Sequence, residues 1–119
     1  MFSHLVSEGD GFTVWFIHSV NQSPVAEIFE IRNEEIVLSA LEFEDFGAGM
    51  PTEIQPGQAL THLPCGTMRI DGGFDTGEIR YMVGRATDFV LYVGTERVML
   101  NELADPGTLV EFSIRRGCL

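Results

Sequence analysis

The residues best placed to do chemistry are His18 and Glu27, because the chain between them reads as a hairpin. Phe12 to Val20 and Val25 to Arg32 are rich in β-branched and aromatic residues, and Asn21-Gln22-Ser23-Pro24 interrupts them with turn formers. A four-residue loop there sets Val20 opposite Val25, Phe16 opposite Phe29, Val14 opposite Ile31 and His18 opposite Glu27. Opposed side chains on neighbouring strands stand about 4.5–5.5 Å apart at Cβ, close enough for a carboxylate to hold an imidazole. A histidine so held keeps its proton to higher pH and can receive the acidic group of a ligand. The same two residues can equally be a satisfied polar contact that pins the hairpin. Ser19 points to the other face of its strand, which separates it from His18, and no Gly-x-Ser-x-Gly elbow stands elsewhere.

Other motifs are weaker. Gly47-Ala48-Gly49-Met50-Pro51 reads as a tight turn, with Gly47 and Gly49 free to take positive φ and Pro51 fixing the exit; the glycines would also let a ligand approach the backbone. Asp75-Thr76-Gly77 is the catalytic triplet of dimeric aspartic proteases, but Gly72-Gly73 precedes it and Glu78 follows it, where that chemistry wants an apolar strand and a small residue. Asp71, Asp75 and Glu78 do not match the spacing of a calcium loop. His62-x-x-Cys65 offers two ligands where structural zinc needs four. No metal or cofactor is expected. Cys65 and Cys118 can form one disulfide or stay as two thiols.

These residues must be carried by one domain spanning 1–119, since 119 residues leave no room for a second full core. With 45% hydrophobic residues, twelve of them aromatic rings, the chain can bury that core and is not a disordered polymer. Its net charge is −11, and all seven cations are arginine. Such a balance argues against nucleic acid or anionic lipid as partner, because phosphate binding needs a cationic face. Residues 1–10 show no basic segment followed by an apolar run, which predicts no export signal in this chain and a flexible lead-in. No apolar stretch approaches the ~20 residues of a transmembrane helix.

Strand signals recur throughout: Phe12 to Val20, Val25 to Arg32, Ile36 to Phe43, Thr67 to Ile70, Glu78 to Val83, Phe89 to Val93, Arg97 to Asn101 and Leu109 to Arg115. Gly, Pro, Asn and Asp separate several of them, and Phe46 to Pro64 reads as one long loop. Eight short strands of this kind predict an all-β fold, a two-layer antiparallel sandwich or flattened barrel. In the first hairpin, one face carries Val14, Phe16, Val20, Val25, Phe29 and Ile31 around His18 and Glu27. The other, with Trp15, Ile17 and Ile28 beside Thr13, Glu30 and Arg32, is mixed.

Three pieces in order, Phe12-x-x-x-x-Ile17-His18-Ser19-Val20, Pro24-Val25-x-Glu27-x-Phe29 and Phe43-x-x-Phe46-Gly47-Ala48-Gly49-Met50-Pro51, resemble domain-of-unknown-function family 1850. The resemblance is specific over Phe12 to Pro51 and general beyond. It implies an accessory domain associated with TRAP transporters of the TAXI type, which import small organic acids, and no established chemistry. It further implies contact with the transporter's membrane component or solute-binding protein, and an extracytoplasmic or membrane-associated location. Many family members carry an N-terminal hydrophobic anchor, which residues 1–10 do not resemble. The expectation is therefore a non-enzymatic, protein-contacting accessory domain, since no nucleophile stands beside an oriented base. The alternative is a small-molecule module that binds an organic acid near His18, Glu27 and the Gly47 to Pro51 turn.

Overall fold

In the computed structural model, residues 5–17, 23–44, 54–72, 74, 79–82, 89–103, 105 and 107–114 are described. Nine strands run through them: β1 (Gly11–Ile17), β2 (Pro24–Arg32), β3 (Glu35–Phe43), β4 (Ala59–His62), β5 (Met68–Asp71), β6 (Ile79–Met82), β7 (Phe89–Val93), β8 (Glu96–Met99) and β9 (Leu109–Phe112). A 3₁₀ turn (Pro64–Gly66) joins β4 to β5, and one helical turn, α1 (Leu100–Leu103), follows β8. Seven strands form an open antiparallel sheet in the order β4-β5-β3-β2-β1-β7-β8, while β6 and β9 pair as a separate ribbon. The all-β, sandwich-like expectation holds.

Alternation places one face of the large sheet inward. Phe12 and Val14 of β1, Val25, Phe29 and Ile31 of β2, Phe43 of β3, Met68 and Ile70 of β5, and Leu91 and Val93 of β7 are all buried. The ribbon covers the β1-β2-β7 part of this face with Ile79, Tyr81 and Phe112. A second cluster, Val25, Phe43, Met68 and Ile70, fills the β5 side, and Phe16 packs against both. Each fully buried aliphatic or aromatic side chain stabilises the fold by roughly 1.5–3 kcal/mol, so these two clusters are what hold the sheet in shape.

The first hairpin keeps its expected faces but not its expected register. Phe16 pairs with Val25, Val14 with Glu27 and Phe12 with Phe29, so each β1 residue meets a β2 residue four places earlier than a Val20 to Val25 closure requires. The cause is Pro24, which opens β2 and pairs with Ile17 instead of sitting in the turn. Proline lacks an N–H and is tolerated at the first residue of a strand. A displacement by an even number leaves every side chain on its face.

Two further departures have local causes. Ala59–His62 forms a strand inside the segment read as a long loop; among the described residues it pairs only with β5, and Ala59, Thr61 and His62 are exposed, so it carries almost no alternation of hydrophobicity. The strand expected over Arg97 to Asn101 ends at Met99 because Leu100 turns inward to 2% exposure and starts α1. Asn101 then accepts a hydrogen bond at Oδ1 from the Phe89 amide, 2.8 Å, a side chain standing in for a ladder partner.

Strand β3 contains a bulge. Phe29 pairs with Leu38 while Ile28 pairs with Ala40, leaving Ser39 as the extra residue. Its hydroxyl donates to the Ile28 carbonyl (3.1 Å), and its own carbonyl accepts from the Gly72 amide (2.9 Å). The bulge resets the alternation, which lets Ile36 and Leu38 before it and Leu41 and Phe43 after it all point inward.

At the β2-β3 turn, Asn33 and Glu34 both take positive φ (52° and 62°), the backbone that a two-residue hairpin needs. Neither is glycine. Their amides are held by Glu8, whose carboxylate accepts from Asn33 at 2.6 Å and from Glu34 at 3.4 Å. The Gly9 amide donates to the Ile31 carbonyl and Asp10 accepts from the Ile31 amide, so the lead-in to β1 is laced to the end of β2.

Candidate functional site

The inner face of the large sheet carries one half-buried carboxylate among the described residues, that of Glu27. β2 carries it because period-two alternation puts residues 25, 27, 29 and 31 on one face, and three of those four are buried apolar residues. Its cross-strand neighbours are Val14 on one side and Leu41 on the other, so nothing in its own row offers a hydrogen bond. The partner comes from the opposite layer: the Tyr81 hydroxyl, on β6, donates to Glu27 Oε1 at 2.7 Å. This is the usual distance for a well-formed O–H···O hydrogen bond.

Tyr81 is positioned by aromatic packing. Its ring lies 5.7 Å from Phe112 in an edge-on arrangement, 5.8 Å from Phe89 and 6.0 Å from Phe16, and Phe16 and Phe89 stack at 5.2 Å. Such contacts add about 0.5–1.5 kcal/mol per pair beyond buried area, and they fix the direction in which the hydroxyl points.

Electrostatics follow from this setting. Burial raises the Glu27 carboxyl above its usual 4.5, and the hydrogen bond from Tyr81 offsets part of that rise. The Tyr81 phenol is also raised, first by burial and then by the Glu27 charge and hydrogen bond, and stays protonated across the physiological range. The pair therefore has one proton donor that does not titrate and one acceptor that binds its own proton more readily than a solvent-exposed glutamate.

Of the residues singled out from the sequence, Glu27 sits on the inner face as expected, but Val14 occupies the position opposite it where His18 was placed. His18 itself lies outside the described residues, as do Gly47, Gly49, Pro51, Asp75, Glu78 and Cys118. His62 is exposed on the edge strand β4, and Cys65 falls in the 3₁₀ turn. Among the described residues no three metal-ligating side chains gather. Tyr81 was missed as a partner. The signal available was its place two residues after Ile79 in a strand facing inward, but the contact joins positions 54 residues apart.

A second polar group lies on the outer face. Arg69 of β5 donates through Nε to Asp71 (3.0 Å) and through Nη1 to Glu42 (3.1 Å), its direct cross-strand neighbour. Arg32 donates to Glu30, two residues back on the same strand, at 2.8 Å.

Fold and site thus define a two-layer all-β domain whose layers are bridged by a carboxylate–phenol hydrogen bond. The sequence model for Domain of unknown function (DUF1850) matches residues 12–100, and the chain belongs to that family. No curated protein and no solved structure matches it. No helix among the described residues is long and apolar enough to cross a membrane.

Proposed function

We propose that this domain is a non-enzymatic accessory module associated with a TAXI-type TRAP transporter, working by contact with the membrane component or the solute-binding protein at the extracytoplasmic or membrane surface. The single observation that supports it is membership of the DUF1850 family across residues 12–100. The interior geometry is compatible with this role: the inward carboxylate is engaged by a phenol of the other layer, an arrangement that fastens the sandwich. The test is affinity capture of the tagged domain from membranes that contain the candidate transporter, with a folded acidic domain of another family as control. Specific recovery of a transporter component supports the proposal, and recovery no better than the control contradicts it.

A second reading is a binding module for a small organic acid at His18, Glu27 and the Gly47 to Pro51 turn. What favours it is the inward place of Glu27 beside the Tyr81 hydroxyl together with its raised proton affinity, since a protonated carboxyl can donate to a ligand carboxylate. A ligand of the folded state must raise the melting temperature, so a thermal-shift series with organic acids on wild type and Glu27→Gln decides it.

A further inference from the structure

The two layers of the sandwich differ in how much each can stand alone. β6 and β9 are four residues long each and, among the described residues, pair only with each other. A two-stranded ribbon is marginal in water by itself, so this one owes its order to the surface it rests on. That support is side-chain packing: Ile79, Tyr81 and Phe112 join the apolar cluster of β1, β2 and β7, with ring centroids 5.7 Å apart for Phe112 and Phe12 and 5.8 Å apart for Tyr81 and Phe89. The hydrogen bond from Tyr81 to Glu27 crosses between the layers at the same place.

The large sheet leans on the ribbon far less. β1 and β2 run for seven and nine residues, and each is paired on both sides, β1 with β2 and β7, β2 with β1 and β3. Phe12 stacks on Phe29 at 5.0 Å and Phe16 on Phe89 at 5.2 Å, contacts made within the sheet itself. The second cluster, Val25, Phe43, Met68 and Ile70, draws on no ribbon residue among those described. Lifting the ribbon therefore strips part of one cluster and leaves the ladders and the other cluster in place. Stability distributed so unevenly produces partial opening below the free energy of global unfolding. Opening also returns the Glu27 carboxylate to water, which offsets part of the cost of wetting the rings.

We propose that the β6–β9 ribbon is a lid, lifting from the large sheet as one unit while the sheet stays folded, with the Tyr81–Glu27 hydrogen bond as its latch. The lifted state presents Phe12, Phe89 and Glu27, an apolar surface with a carboxylate set in it, which the closed domain covers with Phe112 and Tyr81.

The experiment is native-state hydrogen exchange of the ¹⁵N-labelled chain, followed by NMR across a series of sub-denaturing guanidinium concentrations. Amides within Ile79–Met82 and Leu109–Phe112 should share one opening free energy and one denaturant slope, both smaller than those of the slowest β1 and β2 amides, with protection lower by about tenfold or more. Ile70→Val, in the cluster away from the ribbon, should speed the slowest sheet amides several-fold and leave the ribbon amides unchanged, because the contacts of Ile70 persist when the lid lifts. Tyr81→Phe should speed the ribbon amides about tenfold, since the latch exists in the closed form alone. Ribbon amides that exchange together with the slowest sheet amides, or that follow them in Ile70→Val, overturn the proposal. So do ribbon amides with no common slope, which would open residue by residue, and a Tyr81→Phe ribbon that exchanges as in wild type.

Discussion

The inner Glu27–Tyr81 contact and the outer Glu42–Arg69–Asp71 group use the same class of side chain, yet they sit in opposite solvent regimes. On the inner face, a half-buried carboxylate has given up part of its water and accepts from one phenol, and burial raises its affinity for a proton. Outside, the ion pairs have side chains between 31% and 46% exposed, and water and salt share the work of neutralising them. The lesson is that a single neutral-donor hydrogen bond in the interior commands more of this fold's stability than a three-residue ionic group on its surface. It also assigns roles: the inner pair joins two layers, while the outer group ties β3 to β5 within one layer.

The comparison can be broken by substitution, and the largest effect belongs to the interior. Tyr81→Ala removes three ring contacts and leaves Glu27 without its donor among the described residues; it should cost about 3–5 kcal/mol, a large fraction of a small domain's stability, measured by chemical denaturation. Tyr81→Phe keeps the rings and removes only the hydroxyl. It should cost about 1–3 kcal/mol near neutral pH, and part of that loss should be recovered on acidification as Glu27 takes up a proton.

Glu27→Gln separates charge from hydrogen bonding, because the amide oxygen still accepts from Tyr81. A carboxyl whose folded value is raised binds its proton more tightly in the native state, so its contribution is fully present below the unfolded value of 4.5 and is lost as pH rises through the folded value. Wild type should therefore lose stability relative to Glu27→Gln across that window, and the two should run parallel above it. Equal pH dependence of the two proteins would mean that Glu27 is not desolvated.

On the surface the effects should be smaller. Glu8→Ala releases the amides of Asn33 and Glu34 in the positive-φ turn to water and should cost about 1 kcal/mol. Glu42→Gln should change stability by about 0–1 kcal/mol, with a dependence on salt that neither interior variant shows. A loss above about 2 kcal/mol there would erase the contrast between the two regions.

Much of the architecture was legible because side chains of a strand alternate with period two. That pattern alone put Val14, Phe16, Val25, Phe29 and Ile31 on one buried face with Glu27 among them. Register was not legible, because it depends on which residue closes the loop, and Pro24 looks like a turn former while acting as the start of a strand. The strand Ala59–His62 escaped notice because a short edge strand has one paired neighbour and little apolar alternation to display. The Ser39 bulge did leave a trace: the apolar positions 36 and 38 are even while 41 and 43 are odd, and only an inserted residue reconciles them on one face. Of the candidate site, Glu27 could be read as an interior acid from its neighbours alone. Tyr81 could not be read as its donor, since nothing local in a sequence says how a second layer lands on the first.

The most direct test is the side-chain carboxyl titration of Glu27, followed by ¹³C NMR in wild type and Tyr81→Phe. A Glu27 that fastens the two layers through Tyr81 should titrate above 4.5 in wild type and higher still once the hydroxyl is removed. A midpoint at or below 4.5 that does not move in Tyr81→Phe would contradict the interior pair and the layer-fastening role built on it.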